Sequence, residues 1–261
     1  MSFHSWLRNL RPTLAPGRGQ RRRPRRSATH RPHLEVLEDR TVPSGYQQIN
    51  LVGYQPGMAH FTDPNLNGWG MTSLPNGSFC VANAFANGTA TFYDHSGNAL
   101  PQTITVPGSA AGSAALGLPS GGHPTGVVYN PTKDFVITNP VTGVSAPATL
   151  IFDSIDGTIS GWNPVVDPTH AILIRNTWKP GGTDSVYTGL EIGQDRQGNN
   201  VLYATDDAGI LASKDDGKTW SVELAGTKKE HPTAFGAFAG SSGKAFYAGM
   251  SDGFFYALRG G

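Results

Sequence analysis

Cysteine is nearly absent from this 261-residue chain. Cys80 stands alone, so no intrachain disulfide can staple the fold. It sits in the apolar run Phe79-Cys80-Val81-Ala82 and reads as a small buried hydrophobe rather than a nucleophile. Long apolar runs are missing too: no stretch approaches the ~18 apolar residues of a membrane-spanning helix. Charged residues are sparse at 15%, and no long segment carries the period of an amphipathic helix. The chain has no H-E-x-x-H, no Walker loop, no G-x-S-x-G and no C-x-x-C, which removes the commonest catalytic signatures. What the chain has instead is turn chemistry. Its 34 Gly and 19 Pro are aperiodic, which excludes collagen, and they separate many short apolar runs. That pattern predicts strands, and the length suits one large all-β domain.

The net charge of +1 conceals a split. Residues 1–44 hold ten Arg against Glu35, Glu38 and Asp39, a net of +7, which leaves −6 on the rest. Residues 1–10 are weakly amphipathic, and residues 21–26 place five Arg around Pro24. Such a run repels itself and has nothing to bury. Residues 1–44 therefore read as a disordered Arg-rich leader, and 45–261 as the folded domain. No aromatic residues interleave with the Arg run and the body is acidic, which argues against nucleic acid as a partner. A solvated linker and a targeting segment remain, and the residues that follow favour targeting. His33-Leu34-Glu35-Val36-Leu37-Glu38-Asp39-Arg40-Thr41-Val42-Pro43-Ser44 resembles the L-E-x-L-E-D-R-x-x-P-S segment near the start of many exported planctomycete proteins. The resemblance implies export to the cell surface or beyond, although the apolar core of roughly 7–15 residues in an ordinary secretory signal is missing.

Beyond Ser44 the chain repeats a pattern of short strand, turn, strand. A first unit runs through Gly68–Leu74, turns at Pro75-Asn76-Gly77, and continues through Ser78–Asn83, Thr89–Asp94 and Gln102–Val106. Asn-Gly and Ser-Gly turns between such runs supply the positive φ that tight hairpins require. A second unit comprises Pro124–Tyr129, Asp134–Thr138, Thr149–Asp153 and Asp156–Trp162. A third runs from Tyr187 to Glu223, and a fourth begins at Pro232 and ends with Gly253–Leu258. The units start near Trp69, Thr125, Thr188 and Thr233, so they recur every 45 to 60 residues or so, within the range of four-stranded propeller blades. The expected fold is an all-β propeller of about four to five four-stranded blades behind a disordered basic arm. The fourth unit holds only about three strands. Tyr46–Val52 alternates well and is expected to pair with it and close the ring.

Two resemblances sharpen this reading. Ser213-Lys214-Asp215-Asp216-Gly217-Lys218-Thr219-Trp220 matches the Asp-box pattern S-x-D-x-G-x-T-W throughout. It resembles the repeat of sialidase-like propellers, which lies on the hairpin between the third and fourth strands of a blade. The resemblance implies a structural role for Ser213, Asp215, Gly217, Thr219 and Trp220: the Asp accepts backbone N–H bonds, the Gly takes the positive φ, and the Trp packs between sheets. The second resemblance covers about residues 48–205. Gly57–Leu66, Trp69-Gly70, Pro124–Val128, Asp156–Asn163 and Tyr187–Leu190 resemble an uncharacterised bacterial propeller family that has no assigned activity.

Sialidase chemistry needs three arginines for its substrate carboxylate, and beyond Ser44 there are only Arg175, Arg196 and Arg259. Oxygen and imidazole donors stand at the unit starts: His60, Asp63, Asn65 and Asn67 before the first, His123 and Tyr129 at the second, Glu191 at the third and His231 before the fourth. In a closed ring these approaches share one face around the channel, which makes that rim the candidate ligand site. The competing reading takes the Asp and Asn as turn formers and the His as solvated loop residues. Trp162, Trp178, Tyr187, Tyr247 and Phe255 are candidates for stacking on sugar rings or for core packing. The expectation is a non-catalytic, exported, monomeric propeller without a cofactor, binding a polysaccharide or an extracellular protein through its loop face. Two alternatives stay open. One is a metal-dependent hydrolase or lyase of the lactonase or glycosidase-like propeller type, holding a divalent cation on rim oxygens. The other is an incomplete propeller completed by oligomerisation.

Overall fold

The structure, a computed structural model, describes residues 48–85, 88–180, 182, 184–195 and 197–225, together with the backbone of 232–240, 243–250 and 255–259. The Arg-rich leader, with its expected disorder, lies outside the described residues, and so does His231.

The described chain is all-β, with one short helix. Four antiparallel sheets follow one another in sequence, each a meander whose consecutive strands are neighbours. The first sheet is β3 (Gly68–Ser73), β4 (Phe79–Asn83), β5 (Thr89–Tyr93) and β6 (Ala99–Thr105). The second is β7 (Pro124–Tyr129), β10 (Leu150–Ser154), β11 (Thr158–Trp162) and β12 (Ile172–Asn176). The third is β13 (Gly189–Gln194), β14 (Asn200–Asp206), β15 (Gly209–Ser213) and β16 (Ser221–Ala225). The last contains β17 (Pro232–Gly240), β18 (Gly243–Met250) and β19 (Phe255–Arg259). The helix α1 (Ala110–Ala115) lies between the first two sheets in sequence. Ser109 caps it, accepting the N–H of Gly112 at 3.2 Å.

Packing follows from the two-residue period of a strand. Cys80 and Ala82 of β4, with Ala90 and Phe92 of β5, pack against Val127, Leu150, Phe152 and Trp162 of the second sheet. From the other face of that sheet, Val128, Ile151 and Ile159 meet Tyr187, Leu190, Leu202 and Leu211. Val201, Tyr203, Ile210 and Ala212 form a further cluster with Leu224. Inner strands such as β10 and β11 are therefore buried on both faces along their whole length. Each fully buried Leu150, Ile151 or Phe152 contributes about 1.5–3 kcal/mol.

The first strands of the four sheets lie side by side, β3 against β7, β7 against β13 and β13 against β17. Glycine permits the closest of these approaches. A Cβ on Gly70 would come within 2.8 Å of Gly126 Cα and of the Thr125 carbonyl oxygen. Polar residues at the ends of the second strands tie down the entries to the first strands. Asn83 accepts the N–H of Asn67 at 2.9 Å, Ser154 accepts that of His123 at 3.2 Å, and Asp206 accepts a hydrogen bond from Ser185.

Two sequence expectations need correction. Among its described residues, Tyr46–Val52 does not add a strand to the last sheet. Instead β1 (Val52–Gly53) pairs in parallel with β2 (Phe61–Thr62), and the carbonyls of Asn50 and Leu51 accept the N–H groups of His60 and Phe61 at 2.9 and 2.8 Å. Closing that short loop loses less chain entropy than reaching a sheet almost two hundred residues away. The second correction concerns the second unit. The segment at β8 (Val136–Thr138) leaves its sheet and pairs with β9 (Ser145–Pro147), and the fourth position is filled by the unforeseen β12. The chain departs at Phe135, whose φ of 61° turns it away from the extended path.

Candidate functional site

The adjoining strands β3, β7 and β13 enclose a cavity of about 440 Å³. Thr72, Ser73, Thr125, Tyr129 and Thr188 give its wall hydroxyl groups, and Glu191 adds a carboxylate. Several of these groups already brace the wall. Thr72 Oγ1 accepts the Tyr129 N–H at 3.3 Å, Thr125 Oγ1 donates to the Tyr187 carbonyl at 2.8 Å, and Glu191 Oε1 accepts the Ile192 N–H at 3.1 Å. Trp69 lines the cavity and is 54% exposed. Its indole N–H donates to Asn67 Oδ1 at 3.1 Å, and its ring stands edge-on to Phe85 at 5.7 Å. Phe85, 41% exposed, is tilted against the His123 ring at 5.4 Å. A hydroxyl-lined cavity beside exposed aromatic faces can hold a ligand by stacking and hydrogen bonding, without a reactive group.

Asp153 lies behind this wall, at the end of β10, and is fully buried. Its carboxyl takes the backbone N–H groups of Gly126 and Gly189, which joins β7 to β13, and stands 3.2 Å from the Thr125 hydroxyl, whose one proton is shared with the Tyr187 carbonyl. Burial pushes it up to about 7, against the opposing pull of those hydrogen bonds.

The residues singled out from the sequence do not converge. His60 is exposed, its ring stacked edge-on to Phe61 at 4.6 Å. Asp63 is committed to the outer face of the first sheet, where Oδ2 accepts the Tyr93 hydroxyl at 2.7 Å and Oδ1 accepts the Asn65 N–H at 2.8 Å. Asn65 is exposed. His123 is neither a rim ligand nor a solvated loop residue. It is buried beyond the opposite face of that sheet, with Nδ1 2.7 Å from the Ala84 carbonyl oxygen and Nε2 2.8 Å from that of Pro119. Of the described candidate donors, Tyr129 and Glu191 line the cavity. Among the described residues, no group of three or more His, Cys, Asp or Glu is placed to hold a metal ion.

Of the aromatic candidates, those described take the packing role. Trp162 and Tyr187 are core residues, and Trp178 is half-buried with its indole N–H on the Ser185 carbonyl at 3.3 Å. The side chains of Tyr247 and Phe255 lie outside the described residues. Beside the cavity the exposed aromatic faces belong to Trp69, which the sequence reading places at the start of a strand unit, and to Phe85, which it does not single out. Asp153 was missed as well. Its signal is the polar pair Asp153-Ser154 closing the apolar run Leu150-Ile151-Phe152.

The Ser213–Trp220 segment forms the turn between β15 and β16, the third and fourth strands of their sheet. Asp215 Oδ1 accepts the Thr219 N–H at 2.8 Å, and Oδ2 accepts the Thr219 hydroxyl at 2.6 Å. Ser213 Oγ accepts the Gly217 N–H at 3.0 Å, and Gly217 has a φ of 80°. The Trp220 indole N–H donates to the Gly217 carbonyl at 2.8 Å, while its ring packs on the core cluster beside Tyr187 and under the Arg175 guanidinium. These contacts brace the turn from within and fasten it to the core.

A second cavity, about 460 Å³, opens on the outer face of the first sheet between Ile49, Leu51 and Leu66 on one side and Trp69, Met71 and Phe79 on the other.

Comparison with known proteins adds relatives without assigned activities. No family model matches the chain. An uncharacterised protein of Acanthamoeba polyphaga mimivirus is 33% identical over 157 residues, covering 60% of this chain and 35% of the viral protein. Another uncharacterised mimivirus protein is 34% identical over 177 residues, covering 67% of this chain and 42% of its own length. The chain thus spans less than half the length of these curated relatives. The expected membership of a planctomycete-type bacterial family is thereby corrected. Its supporting Pro-Thr-Gly and Asp-Gly-Thr segments are strand-entry and turn solutions open to many antiparallel sheets. Among solved structures, BBS1N in complex with ARL6DN is 12% identical with a TM-score of 0.41, covering 70% of this chain and 49% of that one. Chaetomium thermophilum Raptor is 17% identical with a TM-score of 0.41, covering 74% and 16%. No structural conclusion follows from likenesses this partial.

Proposed function

We propose that the chain is a non-catalytic binding module, with its four sheets arranged as propeller blades and a polysaccharide or an extracellular protein segment as ligand. The observation that carries this reading is the cavity between β3, β7 and β13, with hydroxyl groups on its wall and the exposed Trp69 at its edge. Hydroxyls and an aromatic face suit the two sides of a sugar ring, and rigid first strands hold them in place before the ligand arrives. The Arg-rich leader supports the accompanying proposal that the module works outside the cell. Screening soluble polysaccharides and extracellular-matrix proteins against the chain and its Trp69→Ala variant tests the reading. Binding that weakens at least tenfold in the variant supports it, and a screen without any binder above background removes it.

A second reading, completion of the ring by another copy, draws on the outer face of the first sheet. Phe79, Val81 and Asn83 point there, as Leu150, Phe152 and Ser154 point from the second sheet toward the first. Trp69 and Met71 remain 54% and 66% exposed beside that face. The solution mass discriminates: a dimer favours completion by a second copy, and a monomer the single-chain module.

A further inference from the structure

Asp153 is a fully buried acid held by neutral donors alone. Thr125 supplies a hydroxyl, Gly126 and Gly189 supply N–H groups, and Oδ2 has no partner among the described residues. The carboxyl is also tightly confined. A Cβ on Gly126 would fall 2.5 Å from Oδ1 and 3.2 Å from Oδ2, so the group is wedged against β7 while bonding β13. The ionisable groups on the surrounding elements are Tyr129 on β7, Glu191 on β13, Tyr203 and Asp206 on β14, Arg175 on β12, and Tyr187, His123 and Asp156 in the adjoining turns. Arg175, the cation among them, is turned to the Tyr187 hydroxyl at 3.0 Å, and none of these side chains hydrogen-bonds the Asp153 carboxyl. A carboxylate confined in this way is closed off from bulk solvent and has no counter-ion among the described residues to offset its charge.

We propose that Asp153 is a proton-operated latch between the second and third sheets, closed when its carboxyl is protonated and loosened when the proton passes to solvent. The direction follows from the environment. Burial moves the carboxyl up to about 7, whereas the opened or unfolded chain returns it to the ordinary 3.8. The folded junction therefore binds the proton more tightly than the opened one. Its stabilisation is complete below about pH 4, declines as pH rises toward 7, and is lost beyond that. Three pH units of difference correspond to about a thousandfold change in the opening equilibrium. Because β7 and β13 are also two walls of the cavity, the latch makes the cavity firmer in acid than at neutral pH.

The test uses the full chain. The Asp153 carboxyl carbon is followed by NMR from pH 3 to 9, and exchange of the Gly126 and Gly189 amides is followed from pH 4 to 8 with correction for intrinsic rates. A titration midpoint near 7 is expected. Opening at both amides should rise by about a thousandfold in the wild type and stay level in Asp153→Asn. A midpoint in the ordinary carboxylate range overturns the latch, and so does a folded Asp153→Asn chain that keeps the wild-type pH dependence. If the variant does not fold, the wild-type midpoint decides alone.

Discussion

The carboxylate of Asp216 accepts the backbone N–H of Phe135 at 2.7 Å, and both residues hold a left-handed φ of 61°. They are 81 residues apart, one in the β15–β16 turn and the other where the chain leaves the second sheet. Left-handed backbone costs a non-glycine residue about 1–2 kcal/mol, so two such residues persist only where their surroundings over-determine them. Phe135 supplies that through burial in the core between the second and third sheets. Asp216→Ala should destabilise the chain by about 1–2 kcal/mol in urea unfolding, because a part-buried N–H loses its acceptor. Asp216→Asn keeps an acceptor and tolerates the left-handed region, so it should remain within about 0.5 kcal/mol of the wild type. Equal losses in the two variants would show that the bond does not brace the sheets.

A hydrogen-bonded relay crosses the outer face of the first sheet. Asn83 Nδ2 donates to Thr91 Oγ1 at 3.0 Å, Thr91 donates to Tyr93 Oη at 3.0 Å, and Tyr93 donates to Asp63 at 2.7 Å. Burial raises the Tyr93 phenol above its ordinary range, and Asp63 adds to the rise while Thr91 opposes it. Tyr93→Phe should cost about 1–2 kcal/mol, and a double-mutant cycle with Asp63→Ala should give a coupling of about 1 kcal/mol. Additive losses would show that the N-terminal segment is not fastened through this bond.

His123 places its two ring nitrogens beside two carbonyl oxygens, that of buried Ala84 at 2.7 Å and that of exposed Pro119 at 2.8 Å. Leucine in its place fills similar space but removes the ring N–H that a neutral imidazole gives to one of these acceptors. His123→Leu should lose about 2–3 kcal/mol, and thermal unfolding of the variant checks this. A loss below about 0.5 kcal/mol would mean that the imidazole is not structural and would reopen a ligand-binding role.

The close approach of the first strands at Gly70 and Gly126 makes a further prediction. A methyl group on Gly70 meets the backbone of β7 at 2.8 Å, whereas one on Gly143 has nothing within 4 Å although its φ is 73°. Gly70→Ala should cost about 2–3 kcal/mol through overpacking, and Gly143→Ala about 1 kcal/mol through backbone strain alone. Calorimetry of the two variants orders them. The reverse order would show that β3 and β7 are free to separate.

Asp195 is one of the carboxylates that contribute to the acid limb of the stability profile, with Asp94, Asp167 and Asp215. The Asn199 side chain, partly opposed by burial and helped by Lys214, lowers the Asp195 carboxyl to about 2. A depressed folded value means stability that is present above the unfolded value near 3.8 and lost as pH falls toward 2. Asp195→Asn should flatten that part of the profile, lowering stability above about pH 4 while leaving its slope between pH 5 and 8 unchanged. An unaltered acid limb would show that the turn does not hold the carboxylate in solution.

Local chemistry was legible in the residues themselves. Strand alternation and turn glycines located the starts of the four sheets within a residue or so, because φ preferences and the two-residue period act over a few positions. The Ser213–Trp220 clasp was legible for the same reason, since nearly all its hydrogen bonds lie within five residues. Tertiary structure alone decided which strands became neighbours: β8 left its sheet, β12 entered it, and the N-terminal strand paired with its own loop. It also chose between exposure and burial for residues of one type, leaving Trp69 open, burying Trp162, and enclosing His123 and Asp153. A sequence states what each side chain is able to do, but long-range packing decides which face it points to and what lies opposite. In this chain the partners of the buried polar groups come from segments as far as 62 residues away, as in the Thr125–Tyr187 bond that stands beside Asp153.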